Sequence, residues 1–359
     1  MNKKYKISII GAGNGGCSMA GHFGILGHDV CLYSRDFEKI ESIKRLGGIN
    51  LIDALDGFGK VNIATTDLEK AILHAQIIMI ATTADAHKDI AERIVPHLQE
   101  NQIVVLNPGR TLGAFEFKSV FEKFGLRKRV FLAEAQSLIY ACRKTSQSEV
   151  RVIGVKDKVM LSALPASDTK HVCEILNSIY SCFTPAFNVL ETSLENIGAI
   201  FHPSVVLFNA ATIERGQDFY FYNDMTPQIA HFIEQLDKER LAIGKAFGLN
   251  LISAIEWISY AYPNNIAGDD LCSKMQNNPA YYKILAPNTL YSRHLLEDIP
   301  TGILPMLELT RLVNVETPLM NSIYVFTEHL LQQDFKEKGR TLKNLGIEHL
   351  SKEEFLAYL

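Results

Sequence analysis

The 6 cysteines of this chain form no Cys-x-x-Cys pair and show no Cys/His spacing of the structural-zinc kind. That excludes a metal-stapled module, and no metal site is expected. A chain of 359 residues can bury its own core without a disulfide framework. Cys17, Cys31, Cys142, Cys173, Cys182 and Cys272 therefore read as reduced thiols. No stretch approaches the roughly 18 uninterrupted apolar residues of a membrane span. The basic start Met1–Lys6 is followed only by the short apolar run Ile7–Ile10, which reads as a first strand and not as a signal peptide. A soluble, cytoplasmic protein is the expectation. There is no cationic excess either: 36 Lys and Arg stand against 40 Asp and Glu, for a net charge of −4. A generic nucleic-acid partner is excluded on that count, because phosphate neutralisation needs clustered positive charge. Low-complexity linkers and internal repeats are also missing.

What is present is ordinary globular composition, 47% hydrophobic and 21% charged, which speaks against disorder. At roughly 100–200 residues per domain the length suits two domains. From residue 5 to about 135, β-branched runs at Tyr5–Ile10, Asp29–Tyr33, Ile77–Ala81, Ile103–Leu106 and Val130–Ala133 alternate with helical spacing at Asp36–Leu46, Asp67–Ala75 and Ala84–Leu98. The strands lack polar alternation, as in a parallel sheet covered on both faces. Val150–Val155 and Val159–Leu164 continue the strand signal, and a helix follows from Asp168 to Tyr180. Beyond residue 190 the apolar residues recur at three- and four-residue steps, as in Thr226–Phe247. The expected architecture is an α/β Rossmann domain, a doubly wound parallel sheet, over residues 1–187, followed by a mainly α-helical domain over 188–359.

The first strand runs into Gly11-Ala12-Gly13-Asn14-Gly15-Gly16, with a helical stretch, Cys17–Leu26, after it. Gly11 permits the tight turn, Gly13 and Asn14 bring backbone close to a pyrophosphate, and Gly16 lets the helix pack on the strand. The plain alternative is a glycine-rich turn without a ligand, but strand, helix and second strand follow in register. An NAD site usually carries an acid about 20 residues on. Here Ser34 and Arg35 hold that place, and a hydroxyl with a guanidinium suits the 2′-phosphate of NADP(H), with NAD(H) as the alternative. Asp36 is the other candidate for the ribose, and Arg35 stacked on adenine or facing solvent is the bland reading. Loops after later strands offer Thr83 for the pyrophosphate or ribose, and Asn107 with Gly109 for the nicotinamide, although turn chemistry alone also favours these residues.

Hydride transfer to a carbonyl or imine carbon calls for a neighbouring acid, and His202 lies in the otherwise apolar stretch Asn196–Pro203. A core histidine bonded to a carbonyl is the competing explanation. The cluster Arg293–Gly302, with Arg293, His294, Glu297 and Asp298, would supply an orienting carboxylate. It reads equally as a solvated helix end.

Taken together, Gly11–Gly16, Asn107-Pro108-Gly109, Asn196–Pro203, Asn278-Pro279-Ala280-Tyr281, Arg293–Gly302 and Gly339-Arg340-Thr341-Leu342 resemble the opine dehydrogenase family of the octopine/nopaline type. The bacterial carboxyethylnorvaline dehydrogenase branch is the most similar in these motifs. The resemblance runs from the first strand to about residue 347. It implies an NAD(P)H-dependent oxidoreductase that condenses an amino acid with a 2-oxo acid such as pyruvate and reduces the imine. It further implies His202 as acid/base, Asp298 as its orienting partner and Arg293 as the holder of a substrate carboxylate. Ser137 and Cys142 fall in a stretch resembling the family's substrate loop, although Cys142 reads equally as a small buried apolar residue. A homodimer is implied by analogy. One departure is Ser34-Arg35, where that branch carries an acid. Two other readings remain: another two-domain ketone reductase, which would rely on a catalytic lysine missing from Glu195–Ala211, and an NADP-binding sensor without turnover.

Overall fold

The computed structural model describes residues 3–261 and 266–359. The chain forms two compact units: residues up to Gly109 with Gly113–Thr192, and Arg110–Leu112 with Ser193–Leu359. The division after Thr192 lies beyond the expected residue 187. Three residues of the loop after Gly109 also belong to the second unit, an excursion that no local sequence signal announces.

In the first unit, β1 (Lys6–Ile10), β2 (Asp29–Tyr33), β5 (Ile63–Thr65), β6 (Ile77–Ile80), β7 (Ile103–Leu106), β8 (Phe131–Ala135), β11 (Val159–Ala163) and β12 (Phe183–Pro185) build one sheet. Its order is β12-β11-β8-β7-β6-β1-β2-β5. All neighbours run parallel except β11 against β8. The helices are α1 (Asn14–Ile25), α2 (Phe37–Leu46), α3 (Leu68–His74), α4 (His87–Ile94), α5 (Gly113–Lys123) and α6 (Thr169–Asn177). Ile7, Ile9 and Ile10 of β1 are fully buried, as are Ile78 and Ile80 of β6 and Val104 and Val105 of β7. Each such side chain stabilises the sheet by about 1.5–3 kcal/mol, so Ile9→Asp would break it. Asp36 and Asp67 cap α2 and α3 by accepting hydrogen bonds from their first-turn N–H groups. The chain order reverses on either side of β1, between β6 and β2. In an open α/β sheet that is where a ligand settles against the carboxyl ends of the strands.

A second sheet, in the order β4-β3-β10-β9, is made by β3 (Gly48–Asp53), β4 (Gly57–Lys60), β9 (Tyr140–Lys144) and β10 (Glu149–Val155). Its pairing of β10 with β3 joins residues about a hundred apart in the chain, Glu149 with Asn50.

The second unit is helical: α7 (Val189–Leu194) leads into α8 (Gly198–Phe208), α9 (Ala210–Glu214), α10 (Pro227–Ala246), α11 (Ala254–Ala261), α12 (Leu271–Asn277), α13 (Arg293–Leu296), α14 (Leu304–Val313), α15 (Pro318–Leu331) and α16 (Lys352–Tyr358). Ile233, Leu236 and Ile243 of α10 are fully buried, the face that the helical spacing anticipated. Arg240 on the same helix is also fully buried, bound by Asp237 at 2.8 Å and Glu195 at 3.3 Å and donating to the carbonyls of Leu194 and Ile252. Glu195 also accepts from the Ile252 N–H, so its carboxylate is spent on structure. Among the described residues no helix is long and apolar enough to cross a membrane.

Candidate active site

The glycine loop has the shape its spacing implies. Gly11 has φ +118°, and a Cβ there would meet the Ala81 carbonyl at 2.9 Å. At Gly16 a Cβ would run into the carbonyl oxygen of Gly11, so only glycine lets α1 start this close to β1. Gly13 is the N-cap of α1 and has open space where a Cβ would sit. Helix α1 has no side-chain cap and no acid in its first turn. Its free N–H groups and positive dipole end are therefore available to an anion. Asn14 turns its carboxamide oxygen to the backbone N–H of Lys144 at 3.0 Å.

The loops after β6 and β7 contribute two buried polar atoms with no hydrogen-bond partner among the described residues, Oγ1 of Thr82 and Oδ1 of Asn107. Asn107 is held by its other amide atom, which donates to the Val105 carbonyl at 2.9 Å. Leaving such groups unbonded costs about 1–3 kcal/mol each, a cost that a polar ligand at the strand ends removes. Helix start, glycine clearances and unpartnered oxygens together fit a dinucleotide. Thr82 borders Gly11, with its methyl 3.2 Å from where a Cβ would be, whereas Thr83 is exposed at the start of a short 3₁₀ turn. Ser34 is buried and accepts from the Asp36 N–H. Asp36, the other ribose candidate, is turned onto its own helix, accepting from the N–H groups of Glu38 and Lys39 and pairing with the Lys39 ammonium at 2.9 Å.

In the second unit His202 and Asp298, 96 residues apart, meet at 2.7 Å between Nδ1 and Oδ2. Helix α8 presents His202, and Pro203 directly after it removes one helix N–H. Asp298 immediately precedes a π-helical turn, Ile299–Ile303, an irregularity that recurs at functional sites. Gly198 gives His202 and the neighbouring Arg110 room: a Cβ would lie 2.7 Å from Arg110 Nη1 and 3.2 Å from His202 Cε1.

Arg110 joins this pair. Its side chain is 12% exposed, with Nη1 3.5 Å from Asp298 Oδ1 and 3.2 Å from Asn196 Oδ1, and Nε 3.4 Å from Glu297 Oε1. Burial alone would push the Asp298 carboxyl up, but Arg110 and then His202 outweigh it and hold Asp298 below the ordinary value of 3.8. Burial likewise works against the Arg110 charge, yet Asp298 and Glu297 keep its guanidinium more firmly protonated than usual. Asp298 is thus a fixed anion at the histidine. Arg293 opens α13, half exposed, with Nη1 4.0 Å from Glu297.

The free edge of His202 is lined by aromatic rings. The Tyr222 hydroxyl is 3.4 Å from Nε2, and Tyr222 stacks on Tyr281 with centroids 4.2 Å apart. Phe221 and His294 lie 5.9 Å and 5.1 Å from the imidazole, centroid to centroid.

Of the residues expected from sequence, the fold brings His202 and Asp298 into contact, with Arg293 beside their neighbour Glu297. Ser137 accepts from the Lys156 ammonium at 2.9 Å, and Cys142 lies in the apolar core of the first unit. Arg110 and Tyr222 carry no expectation from the sequence, and Glu297 enters there only as a member of the Arg293–Gly302 cluster. The Arg110 signal was a cation directly after Asn107-Pro108-Gly109, but its carboxylate partners lie almost two hundred residues away. Two motifs of the resemblance prove supportive. Tyr281 of Asn278–Tyr281 stacks on Tyr222, and Arg340 of Gly339–Leu342, almost fully buried, donates to the Thr111 carbonyl at 2.8 Å while its N–H bonds the Pro300 carbonyl. Arg340 thereby ties the loop holding Arg110 to the turn following Asp298.

A Rossmann unit with a helical unit that carries a histidine–carboxylate pair defines a two-domain NAD(P)-dependent dehydrogenase. Residues 185–331 match the family model described as NAD/NADP octopine/nopaline dehydrogenase, alpha-helical domain. Residues 6–106 match one described as NADP oxidoreductase coenzyme F420-dependent. The chain is 35% identical over 346 residues to the opine dehydrogenase of Arthrobacter sp. (strain 1C), covering 96% of each. Octopine dehydrogenase solved with NADH and L-arginine superposes with a TM-score of 0.80 at 18% identity over 98% of each chain. Yersinopine dehydrogenase with NADP+ gives 0.74 at 14% identity, over 99% of this chain and all of the other. The chain belongs to the opine dehydrogenase family, and is an NAD(P)-dependent oxidoreductase acting on a CH–NH group.

Proposed function

We propose that this protein condenses the amino group of an amino acid with a 2-oxo acid, pyruvate or one like it, and reduces the resulting imine to a secondary amine, with NADPH preferred over NADH. The observation that carries the reading is the 2.7 Å contact of His202 Nδ1 with a carboxylate that Arg110 keeps ionised. An ionised carboxylate only accepts, so Nδ1 keeps its proton and Nε2 is the atom that takes and gives one. His202 accepts the proton of the substrate ammonium, freeing the amine to add to the oxo carbon. The same Nε2 returns it to the carbinolamine hydroxyl, which leaves as water and forms the protonated imine. Asp298 stabilises the imidazolium between these steps and fixes the ring. The bound nicotinamide supplies the hydride. Arg293, exposed and planar, is suited to a bidentate grip on a substrate carboxylate. The rings of Tyr222, Phe221 and His294 shield the reacting edge from water.

The test is NADPH and NADH oxidation by purified protein with pyruvate and an array of amino acids. Oxidation that requires both substrates is expected. Oxidation with the oxo acid alone would make the protein a ketone reductase, and saturable cofactor binding without turnover would make it a sensor.

A further inference from the structure

We infer that the Tyr222 hydroxyl is a second catalytic group, the atom through which His202 delivers protons to the oxygen of the 2-oxo acid. The inference rests on the imine reading of the site and deepens it. Turning an ammonium and a carbonyl into a protonated imine and water moves two protons from nitrogen to oxygen. Nitrogen gains two bonds to the carbon as oxygen loses two. Both atoms sit on the same carbon, and a lone Nε2 would have to turn from one to the other, while Asp298 fixes the ring at 2.7 Å. Tyr222 supplies a second proton-carrying atom, 3.4 Å from Nε2, to face the oxygen while Nε2 faces the nitrogen.

The direction of the hydroxyl follows the state of the histidine. Nδ1 keeps its proton against Asp298, so the neutral ring offers a lone pair at Nε2 and Tyr222 donates to it. Once Nε2 has taken a proton from the substrate nitrogen, it donates to the phenol oxygen, and the phenol proton turns to the substrate oxygen. Passing that proton on draws the one from Nε2, which restores ring and hydroxyl for the second transfer. Arg110 is an electrostatic neighbour of the Tyr222 oxygen, and its guanidinium stabilises negative charge there. Tyr222 is held in place for this by the turn 221–224. The Phe221 N–H donates to the Ile284 carbonyl at 2.7 Å, and the Asn223 side chain accepts from the Lys283 N–H and donates to the Gln276 carbonyl, each at 2.7 Å. The hydroxyl is therefore positioned before substrate arrives, and a catalytic hydrogen bond of this length tightens in the complex. The other titratable neighbours do not compete: Asp298 stays ionised, arginine does not release its proton, and His294 turns Nδ1 to the Ser292 hydroxyl at 3.3 Å. The plain alternative is that Tyr222 serves only as a ring stacked on Tyr281.

Tyr222→Phe separates the two, because it keeps the ring and removes the hydroxyl. With both substrates saturating, kcat should fall about a hundredfold. C4-deuterated NADPH should then be oxidised no more slowly by the variant than NADPH, since proton delivery and no longer hydride transfer limits its rate. Unchanged kcat overturns the relay. So does a lowered kcat at which deuterium slows the variant, because the ring then acts by placing the substrate for hydride transfer. Wild-type oxidation that needs only the oxo acid, or no oxidation at all, overturns the imine reading and the relay with it. Wild-type oxidation that needs both substrates keeps the imine reading whichever way the variant behaves, so the two fail separately.

Discussion

The two units hold their chemistry in different materials. In the first, the nucleotide cradle is mostly backbone: a glycine turn, the uncapped start of α1 and strand-end loops. In the second, the site is a constellation of charged side chains, Arg110, His202, Glu297 and Asp298, drawn from segments up to 188 residues apart. Backbone sites depend on spacing within a dozen residues, and charge constellations depend on where distant helices end. The former tolerate many side chains and no bulk at their glycines. The latter tolerate no unpaired charge.

The comparison can be broken most sharply at His202. His202→Ala should lower kcat by about 10²–10⁴, the usual worth of a positioned acid/base, while leaving the Kd for NADPH unchanged. Unchanged turnover would remove the histidine from the reaction.

The arginines give the next contrast. Arg110→Met strands two buried carboxylates and should destabilise the protein by about 3–5 kcal/mol. Arg35→Ala, at an exposed pair, should cost less than about 1 kcal/mol. Urea unfolding of both variants checks this, and equal losses would deny that Arg110 is buried among anions.

Two glycines allow a matched test. Gly16→Ala should abolish dinucleotide binding by pushing α1 off the first turn. Gly198→Ala displaces Arg110 and His202 and should cut kcat by about a hundredfold with binding intact, because small misplacements at a reacting centre are that costly. The same phenotype in both would mean that the division of labour is wrong.

Acid should separate the units by pH. Burial lowers His22, on α1, to about 4 from 6.5. The unfolded chain takes up that proton first. The neutral-His stability is therefore complete above pH 6.5 and is lost as pH falls towards 4, by about 3 kcal/mol at most. Asp298 is held below 3.8, so its contribution survives until pH falls through the lowered value. Thermal unfolding from pH 7 to 4 should show a loss that His22→Gln reduces. If the variant loses as much, the histidine is not the cause.

The smallest effect is expected at Arg293. Its alanine variant should raise the KM for the oxo acid about tenfold with little change in kcat. A loss in kcat alone would place Arg293 at the chemistry and not at the carboxylate.

Much of this was legible beforehand, for reasons that differ by element. Asp29–Tyr33 and Ile103–Leu106 form strands at the expected residues because unbroken β-branched runs suit only a doubly covered sheet. Of the second sheet only β10 was expected, as Val150–Val155, and its other three strands were missed. Its strands β3 and β4 include Gly48, Gly57 and Gly59, and β9 carries Arg143 and Lys144, so none reads as a strand until its partner is present. His202 and Asp298 were legible by resemblance and by residue type. Arg110 was not, because a cation in a turn looks solvated until Asn196, Glu297 and Asp298 close around it.

By itself, the sequence determined everything that rests on local sterics and periodicity: a first strand, a turn that only glycine can make, capped helices and the change from strand to helix patterning near residue 190. These follow from backbone geometry and burial over a few residues. Only the tertiary structure decided which charges neighbour one another: that Arg110 leaves the first unit to sit with Asp298, that Asp36 is spent on its helix, and that Arg93 comes to Tyr33. Electrostatic partners are set by distance in space and by the exclusion of water, and neither is written in the spacing of residues along the chain.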